Sequence, residues 1–341
     1  MTARQRPPHA DGRTAICPLR TACRPRTGGP PRAHRQRGRP PPRFPAPGGR
    51  TVPPITKGVI GMLFRLLGSV RIENARTSMS VKSAPVRGVF AALLLEEGRS
   101  VPVERLMRSL WDESPDSARK NLRLYMARLR RQLTALSLQE RLVTLRGGGG
   151  GYRLLIEPDE VDSIRFKRLA AQGFAELRAR RTDAAEATFK EALGLWQGPA
   201  GQDCAASEQM RARFAALDEL HLTVRERLVE ARLGLGRTLD LVPEIHDVLA
   251  AAPFRETSWA HLMRAHYLGG NAAGAISAWN SATATLSDHL GLDPSAELRE
   301  LHLSVLRRDD DAIRGPSSRL QDEDRGPAPA GSPAGAGWQF R

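Results

Sequence analysis

The spacing of apolar residues divides the chain into a short mixed segment and a long helical one. Between residues 62 and 156, runs with the two-residue period of β-strands alternate with runs of helical period. From residue 162 to residue 308 the period is helical almost throughout, without strand-like runs. The pattern therefore predicts a mainly α protein, with a small mixed domain at 62–156 and an all-α domain at 159–308.

Three helices and several short strands are expected in the first segment. They are strands at 63–72, 142–145 and 152–156, and helices at 86–95, at 103–110 and from 117 onward. Residues 114–117 supply capping side chains and a helix-start proline for the third helix. Five consecutive glycines, 147–151, separate the last two strands, which should pair as a hairpin. This order of strands, three helices and a C-terminal hairpin predicts a winged helix-turn-helix DNA-binding domain.

The third helix of this segment has two different faces. At about 100° per residue, its apolar side chains share one sector and its cations share another. The apolar positions are Ala118, Leu122, Tyr125, Met126, Leu129 and Leu133, and the basic positions are Arg119, Lys120, Arg123, Arg130 and Arg131. Such a helix packs on one side and presents positive charge on the other. A basic helical face is often only a solvated surface, but the adjacent helices and hairpin favour a DNA-binding role.

A repeat of 34 residues runs through the all-α segment. The shift sets Leu228 on Leu262, Gly236 on Gly270 and Val242 on Ile276. A looser third copy lies at residues 166–195. Because 34 residues is the period of tetratricopeptide helix pairs, the segment is predicted to be an all-α tetratricopeptide-like repeat domain.

The net charge of +15 is distributed unevenly. Lys and Arg outnumber Asp and Glu by 13 to 1 in residues 1–61 and by 17 to 8 in residues 62–156, whereas residues 157–308 carry 18 against 22. A basic block beside an acidic one is expected when one module meets phosphates and the other meets a different partner. The charge alone does not say which polyanion is bound.

The two ends of the chain differ from the rest in composition. Residues 1–61 are rich in Pro, Arg and Gly and are predicted to be disordered, as are residues 309–341. The N-terminal arm has two interpretations. It is either a basic tether that adds non-specific affinity for nucleic acid, or a stretch that precedes the true start of translation at Met62.

Several classes of function find no support in the sequence. Cys17, Cys23 and Cys204 have no metal-ligand spacing, and the longest apolar run is too short to span a bilayer. Neither a phosphate-binding loop nor a Gly-x-Ser-x-Gly motif occurs. The carboxylates of the basic segment show no metal-binding grouping. We therefore expect a cytoplasmic, nucleoid-associated protein that is not an enzyme, needs no cofactor or metal, and does not bind membranes.

From about residue 62 to residue 308 the chain resembles the Streptomyces antibiotic regulatory protein family. The resemblance is carried by residues 66–70, 85–95, 110–111, 117–119, 122–125 and 128–133, then by Leu-Trp-Gln-Gly-Pro at 195–199 and by residues 290–302. Members join a winged-helix DNA-binding domain to a bacterial transcriptional activation domain. The resemblance implies a sequence-specific activator of antibiotic or other secondary-metabolite genes.

The resemblance also implies which residues contact DNA. Arg123 and Arg128 are assigned to base edges and Leu124 to a thymine methyl group. Contacts to phosphate or to the DNA backbone are assigned to Arg119, Lys120, Arg130, Arg131, Arg146 and Arg153. The run of five glycines departs from the short Pro-Gly step that is usual in the family, which places the wing contacts at the base of the hairpin.

Partners are implied in the same way. The family binds direct repeats in double-stranded promoter DNA and contacts RNA polymerase and its sigma factor. Direct repeats require head-to-tail protomers, as a dimer or a larger oligomer on DNA. The alternative is a tetratricopeptide-like scaffold or ligand sensor whose basic module binds nucleic acid weakly and without sequence preference.

Overall fold

The computed structural model describes residues 63–74, 78–147 and 149–314. The N-terminal arm, including Met62, and the chain after residue 314 lie outside these ranges. The first part contains strands β1 (Leu63–Arg65), β2 (Arg71–Glu73), β3 (Ser78–Ser80), β4 (Val101–Pro102), β5 (Leu142–Leu145) and β6 (Gly151–Leu154). Its helices are α1 (Ala84–Leu95), α2 (Val103–Leu110) and α3 (Ala118–Ala135).

The strands form two small antiparallel sheets. One has the order β1-β2-β3, and the other has the order β4-β6-β5, in which β5 and β6 form the predicted hairpin. Strands β3 and β4 were not predicted, because runs of two or three residues carry no readable period. Gly151 lies in β6, where a Cβ atom would stand 2.6 Å from the carbonyl oxygen of Val101 in β4. The last glycine of the run is therefore needed for strand pairing.

Helix α3 packs as its sequence predicts. The side chains of Leu122, Met126, Leu129 and Leu133 are buried in the core, and the helix contacts both α1 and α2. Tyr125 lies at the edge of this face, where its ring stacks on that of Trp111 at 6.2 Å. The buried face fixes the rotation of α3, so the opposite face must point to solvent.

The rest of the chain is helical. Its helices are α4 (Asp162–Arg178), α5 (Thr182–Leu193), α6 (Glu208–Gly234), α7 (Leu241–Ala251), α8 (Glu256–Leu268), α9 (Ala272–Leu290), α10 (Ala296–Arg307) and α11 (Asp310–Arg314). Helix α11 lies inside the tail that was predicted to be disordered, and that expectation was wrong for residues 310–314. Ile313 is fully buried, and its carbonyl accepts a hydrogen bond from Arg264, so this short helix is held by tertiary contacts.

The 34-residue repeat is visible in how the helices end. Gly236 follows α6 and Gly270 follows α8, with φ angles of 70° and 80°. Each amide donates to a carbonyl three residues earlier, and the next residue donates to one five residues earlier. This left-handed C-terminal turn favours glycine. The mainly α fold, with a winged helix-turn-helix followed by a tetratricopeptide-like domain, is confirmed.

Arg180 occupies the same place after α4, with φ at 58° and the same two hydrogen bonds. We expect Arg180→Gly to raise the free energy of unfolding by about 0.5–1 kcal/mol, because a side chain in this conformation costs about 1–2 kcal/mol and glycine loses part of that gain as chain entropy. Urea denaturation measures it. Arg178→Gly, inside the right-handed turn of α4, is the control and should be destabilising; equal effects of the two changes would contradict the assignment.

One hydrophobic core joins the winged domain to the helical repeats. It runs from Phe64 in β1 to Leu228 in α6, and a second core begins at Val229 and ends at Ile313. The loop before α6 packs closely on α1, because any side chain at Gly88 would collide with the carbonyl oxygen of Ala205. The first core therefore crosses residues 157–161, where the sequence places the join between the two domains.

Asp162 links the two parts most directly. Its carboxylate is fully buried and accepts hydrogen bonds of 2.9–3.0 Å from the backbone amides of Leu66 and Leu67. Burial raises the pKa of Asp162 to about 6, although these amides, the amide of Ser163 and the charge of Arg65 hold it lower. The carboxyl therefore binds a proton more tightly in the folded chain than in the unfolded chain.

This difference predicts a pH dependence of stability. A raised pKa stabilises the fold below the unfolded value and loses that contribution as the pH rises through about 6. We expect the free energy of unfolding of the natural protein, relative to that of Asp162→Asn, to fall by about 1.4 kcal/mol between pH 5 and pH 7.5. Parallel denaturation curves at the two pH values test this. A difference that stays constant or grows with pH would show that the hydrogen bonds outweigh burial.

The second core carries a buried ion pair between α6 and the start of α8. Arg255 donates to both carboxylate oxygens of Glu226, at 3.0 and 2.6 Å, and Ser258 donates to the same carboxylate at 2.6 Å. Only 7% of the Glu226 side chain is exposed. Arg255 also contacts Glu219, which lies nearer the surface. The network holds neighbouring helices of the repeat together by charge as well as by packing.

Candidate nucleic-acid interface

A continuous stripe of exposed side chains follows the outer face of α3. It consists of Lys120, Arg123, Leu124, Ala127, Arg128 and Arg131, at spacings of three and four residues. Leu124 is 44% exposed, although a leucine is more often buried. Within the part of the chain that the structure describes, the four cations of the stripe form no ion pair and no side-chain hydrogen bond. They are available to a partner from outside.

Two further cations of α3 that were assigned to DNA are already engaged. Arg119 forms an ion pair of 2.5 Å with Glu104 in the first turn of α2. Arg130 is half-buried and donates to the Thr144 hydroxyl at 2.9 Å and to the carbonyl of Leu142 at 3.4 Å, both in β5. Arg130 therefore ties α3 to the hairpin.

The hairpin forms the wing, and its two arginines differ. Arg146 is exposed at the start of the glycine turn, whereas Arg153 in β6 is exposed but donates to the carbonyl of Gly98 at 2.6 Å. Gly147, Gly149 and Gly150 adopt φ angles between 77° and 96°, a region that glycine enters without steric cost. Apart from Arg146, the described tip offers backbone rather than side chains.

A cleft separates α3 from the wing. Arg119 and Arg123 line the helix side, and Thr144, Gly149 and Tyr152 line the hairpin side. A DNA strand that leaves the stripe toward the wing passes over this cleft. The cations at its edge are positioned to contact phosphates.

The start of α1 has a different role from the one that the family pattern suggests. Arg87, which occupies part of the Pro-Lys-x-Arg position in relatives, donates to the carbonyls of Val81 and Asp203 at 2.8 Å and pairs with the Asp203 carboxylate at 3.2 Å. Its charge is used to hold the helical domain against α1. The exposed Lys82 is the cation left at this position.

The arrangement can bind a polyanion and read a groove. An arginine in the major groove can donate two hydrogen bonds to guanine, and an apolar side chain can contact the methyl group of thymine. Phosphate contacts fix the register of the protein on the duplex. The stripe offers all three kinds of contact on one helix face, over about three turns.

Two further searches concern other chemistry. In residues 63–74, 78–147 and 149–314, no group of three or more His, Cys, Asp or Glu side chains is placed to hold a metal ion. Among the helices of these same ranges, none is long and apolar enough to cross a membrane. Sequence analysis missed Glu104 and Thr144, because their partners on α3 are 14 or 15 residues away and no local pattern marks such pairs.

Comparison with known proteins places these features in a family. Residues 83–154 match the model of the transcriptional regulatory protein C-terminal domain, and residues 161–306 match the bacterial transcriptional activator domain. Regulatory protein DnrI of Streptomyces peucetius is 35% identical over 253 residues, which cover 73% of this chain and 93% of that protein. The chain belongs to the Streptomyces antibiotic regulatory protein family. This family member is a DNA-binding transcriptional activator of the class that controls secondary-metabolite genes.

Other relatives agree with this assignment. Transcriptional regulator RedD of Streptomyces coelicolor is 33% identical to this family member, over 72% of this chain and 70% of that protein. The solved structure of Mycobacterium tuberculosis EmbR, in complex with a low-affinity phosphopeptide, superposes with a TM-score of 0.68 at 28% identity. It covers 77% of this chain and 69% of that one. The family resemblance deduced from the sequence is confirmed.

Proposed function

We propose that α3 lies in the major groove and that its exposed stripe reads a promoter sequence. Arg123 and Arg128 donate to base edges, Leu124 contacts a thymine methyl group, and Lys120 and Arg131 contact phosphates. The observation that carries this proposal is the absence of intramolecular partners for these cations among the described residues. Cations without partners lose no internal contact when they bind DNA.

The remaining assigned residues act at the edges of the interface. Arg146 contacts the backbone beside the wing, where its side chain is exposed. Arg130 and Arg153 reach phosphate only with the parts of their guanidinium groups that are not bonded to β5 and to Gly98. Their larger contribution is to hold the wing at a fixed distance from α3. Arg119 contacts a phosphate only when its pair with Glu104 opens or is shared.

The wider assignment follows the family. The protein binds direct repeats with its protomers arranged head to tail, and it recruits RNA polymerase and the sigma factor to the promoter. It acts in the cytoplasm, on the nucleoid, and without catalysis or cofactor. Support for recruitment comes from the match of residues 161–306 to an activator domain.

The test is footprinting of the purified protein on the promoter regions of neighbouring biosynthetic genes, with excess random competitor DNA and across a salt series. We expect protection of two short direct repeats whose centres are about one helical turn apart, near 10–10.5 base pairs. Specific protection should persist at salt concentrations that remove random binding.

A scaffold or ligand sensor is the second candidate. A cleft on the helical domain, between α4 and α6 and lined in part by Phe174, Leu177 and Thr223, is the observation that favours it. Such a protein would show no protected repeat above competitor DNA. That result would reject the activator proposal for this chain.

A further inference from the structure

An acidic side chain stands inside the basic surface. Glu104 lies in the first turn of α2, and its carboxylate pairs with Arg119 in the first turn of α3. On the other side, its Oε2 atom lies 3.8 Å from the place where a Cβ atom of Gly149 would be. One carboxylate therefore reaches both edges of the cleft between α3 and the wing.

Folding stability does not account for this placement. About half of each side chain in the pair is exposed, 48% for Glu104 and 56% for Arg119. Ion pairs between side chains this exposed add little to stability. The pKa of Glu104 is lowered by a hydrogen bond within its own residue and then by Arg119, so the group is an anion at neutral pH. The pair matters instead for what approaches from outside.

A comparison within the cleft shows the effect of the pair. Arg119 and Arg123 lie one helical turn apart and line the same cleft. Arg123 has no intramolecular partner among the described residues, whereas the charge of Arg119 is balanced at 2.5 Å. If α3 binds as proposed above, the phosphates that pass this cleft meet one available cation and one neutralised cation with an anion beside it.

We propose that Glu104 limits the sequence-independent affinity of this protein for DNA. It balances the charge of Arg119 and repels phosphate at the mouth of the cleft, so that binding depends more on the base contacts of α3. Sequence-independent affinity comes almost entirely from cations that displace counterions from phosphates. A carboxylate that removes one such cation weakens binding to all sequences alike, which reduces capture by the large excess of random sites in a genome.

The test is Glu104→Gln in the full chain, with binding to a promoter fragment and to a random duplex of equal length measured between about 50 and 200 mM salt. We expect the affinity for both duplexes to rise by the same factor, about three- to tenfold at low salt. The plot of log K against log salt should become steeper by about one unit. Arg119→Gln alone should change this slope little, and the double variant should return it to the natural value.

Glu113→Gln is the matched control. Glu113 lies in the exposed loop between α2 and α3, and it makes the same change in net charge without touching the cleft. It should leave the slope unchanged. Weaker binding of Glu104→Gln would overturn the proposal, because it would mean that Glu104 holds Arg119 on a phosphate. Gain on the promoter fragment alone would also overturn it, since Arg119 would then read a base.

The role of α3 itself is tested separately. Arg123→Ala should lower affinity for the promoter fragment and leave affinity for random DNA nearly unchanged. Failure of that result would reject the groove-reading proposal, whereas the effect of Glu104→Gln on random DNA would still decide the role of Glu104.

Discussion

Reversing the charge of both Arg123 and Arg128 to glutamate should reduce affinity for the promoter fragment by about a thousandfold or more. Each lost bidentate contact to a base costs about 1–3 kcal/mol, and every 1.4 kcal/mol is a factor of ten in affinity. The new carboxylates would also face base edges and phosphates at close range. Because both side chains are exposed on α3, the substitution should leave the fold intact. A gel-shift or fluorescence-anisotropy titration measures the loss.

The control makes the same change of net charge on another exposed helix. Arg299 and Arg307 lie on the outer surface of α10, so their double replacement by glutamate removes equal charge far from the winged domain. That variant should bind promoter DNA within a few fold of the natural protein. If the two double variants lose affinity equally, only the overall charge matters and the stripe on α3 has no special role.

Arg255→Ala should destabilise the protein by about 3–5 kcal/mol. Removing one partner of a buried ion pair leaves the other charge without compensation, and here Glu226 would keep only the hydroxyl of Ser258. Burial by itself raises the pKa of Glu226, but the hydrogen bonds from Arg255 and Ser258 lower it overall. This contribution is present above the unfolded pKa and is lost as the pH falls through the lowered value. Urea unfolding monitored by circular dichroism at neutral pH measures the change.

The matched control is a neighbouring pair at the surface. Arg227 contacts Glu230 at 2.6 Å on α6, with 46% and 39% of the two side chains exposed. Arg227→Ala should cost less than about 1 kcal/mol, because exposed pairs contribute little. Replacing Glu226 with Gln and Arg255 with Met together should cost less than Arg255→Ala alone. If the single and double variants are equally unstable, packing of the arginine stem rather than the buried charge explains the loss.

The two faces of α3 were predictable because the amphipathic pattern of a helix is local. Leu122, Met126 and Leu129 recur at the helical period and are buried, and Arg123 and Arg128 fall on the opposite side. The repeat was equally readable, since Gly236 and Gly270 mark the same left-handed turn 34 residues apart. Patterns that one element imposes on its own sequence survive without knowledge of the fold.

Contacts between distant elements could not be predicted in this way. Arg87 has the residue type expected of a cation near DNA, yet its partner Asp203 is 116 residues away and belongs to the helical domain. Arg130 belongs to the basic face by its angle on α3, but the packing of β5 beside the helix supplies Thr144 and Leu142 as partners. The sequence identifies which cations α3 carries, and the fold decides which of them remain free.

The continuous core from Phe64 to Leu228 has a consequence for regulation. With Asp162 and the loop at Ala205 packed against the winged domain, no flexible joint separates the helix that reads DNA from the first helices of the activator domain. The rotational position of the bound repeat around the double helix therefore sets the direction in which the activator domain projects. The protein transmits the angular phase of its binding site, and not merely its presence, to the transcription machinery.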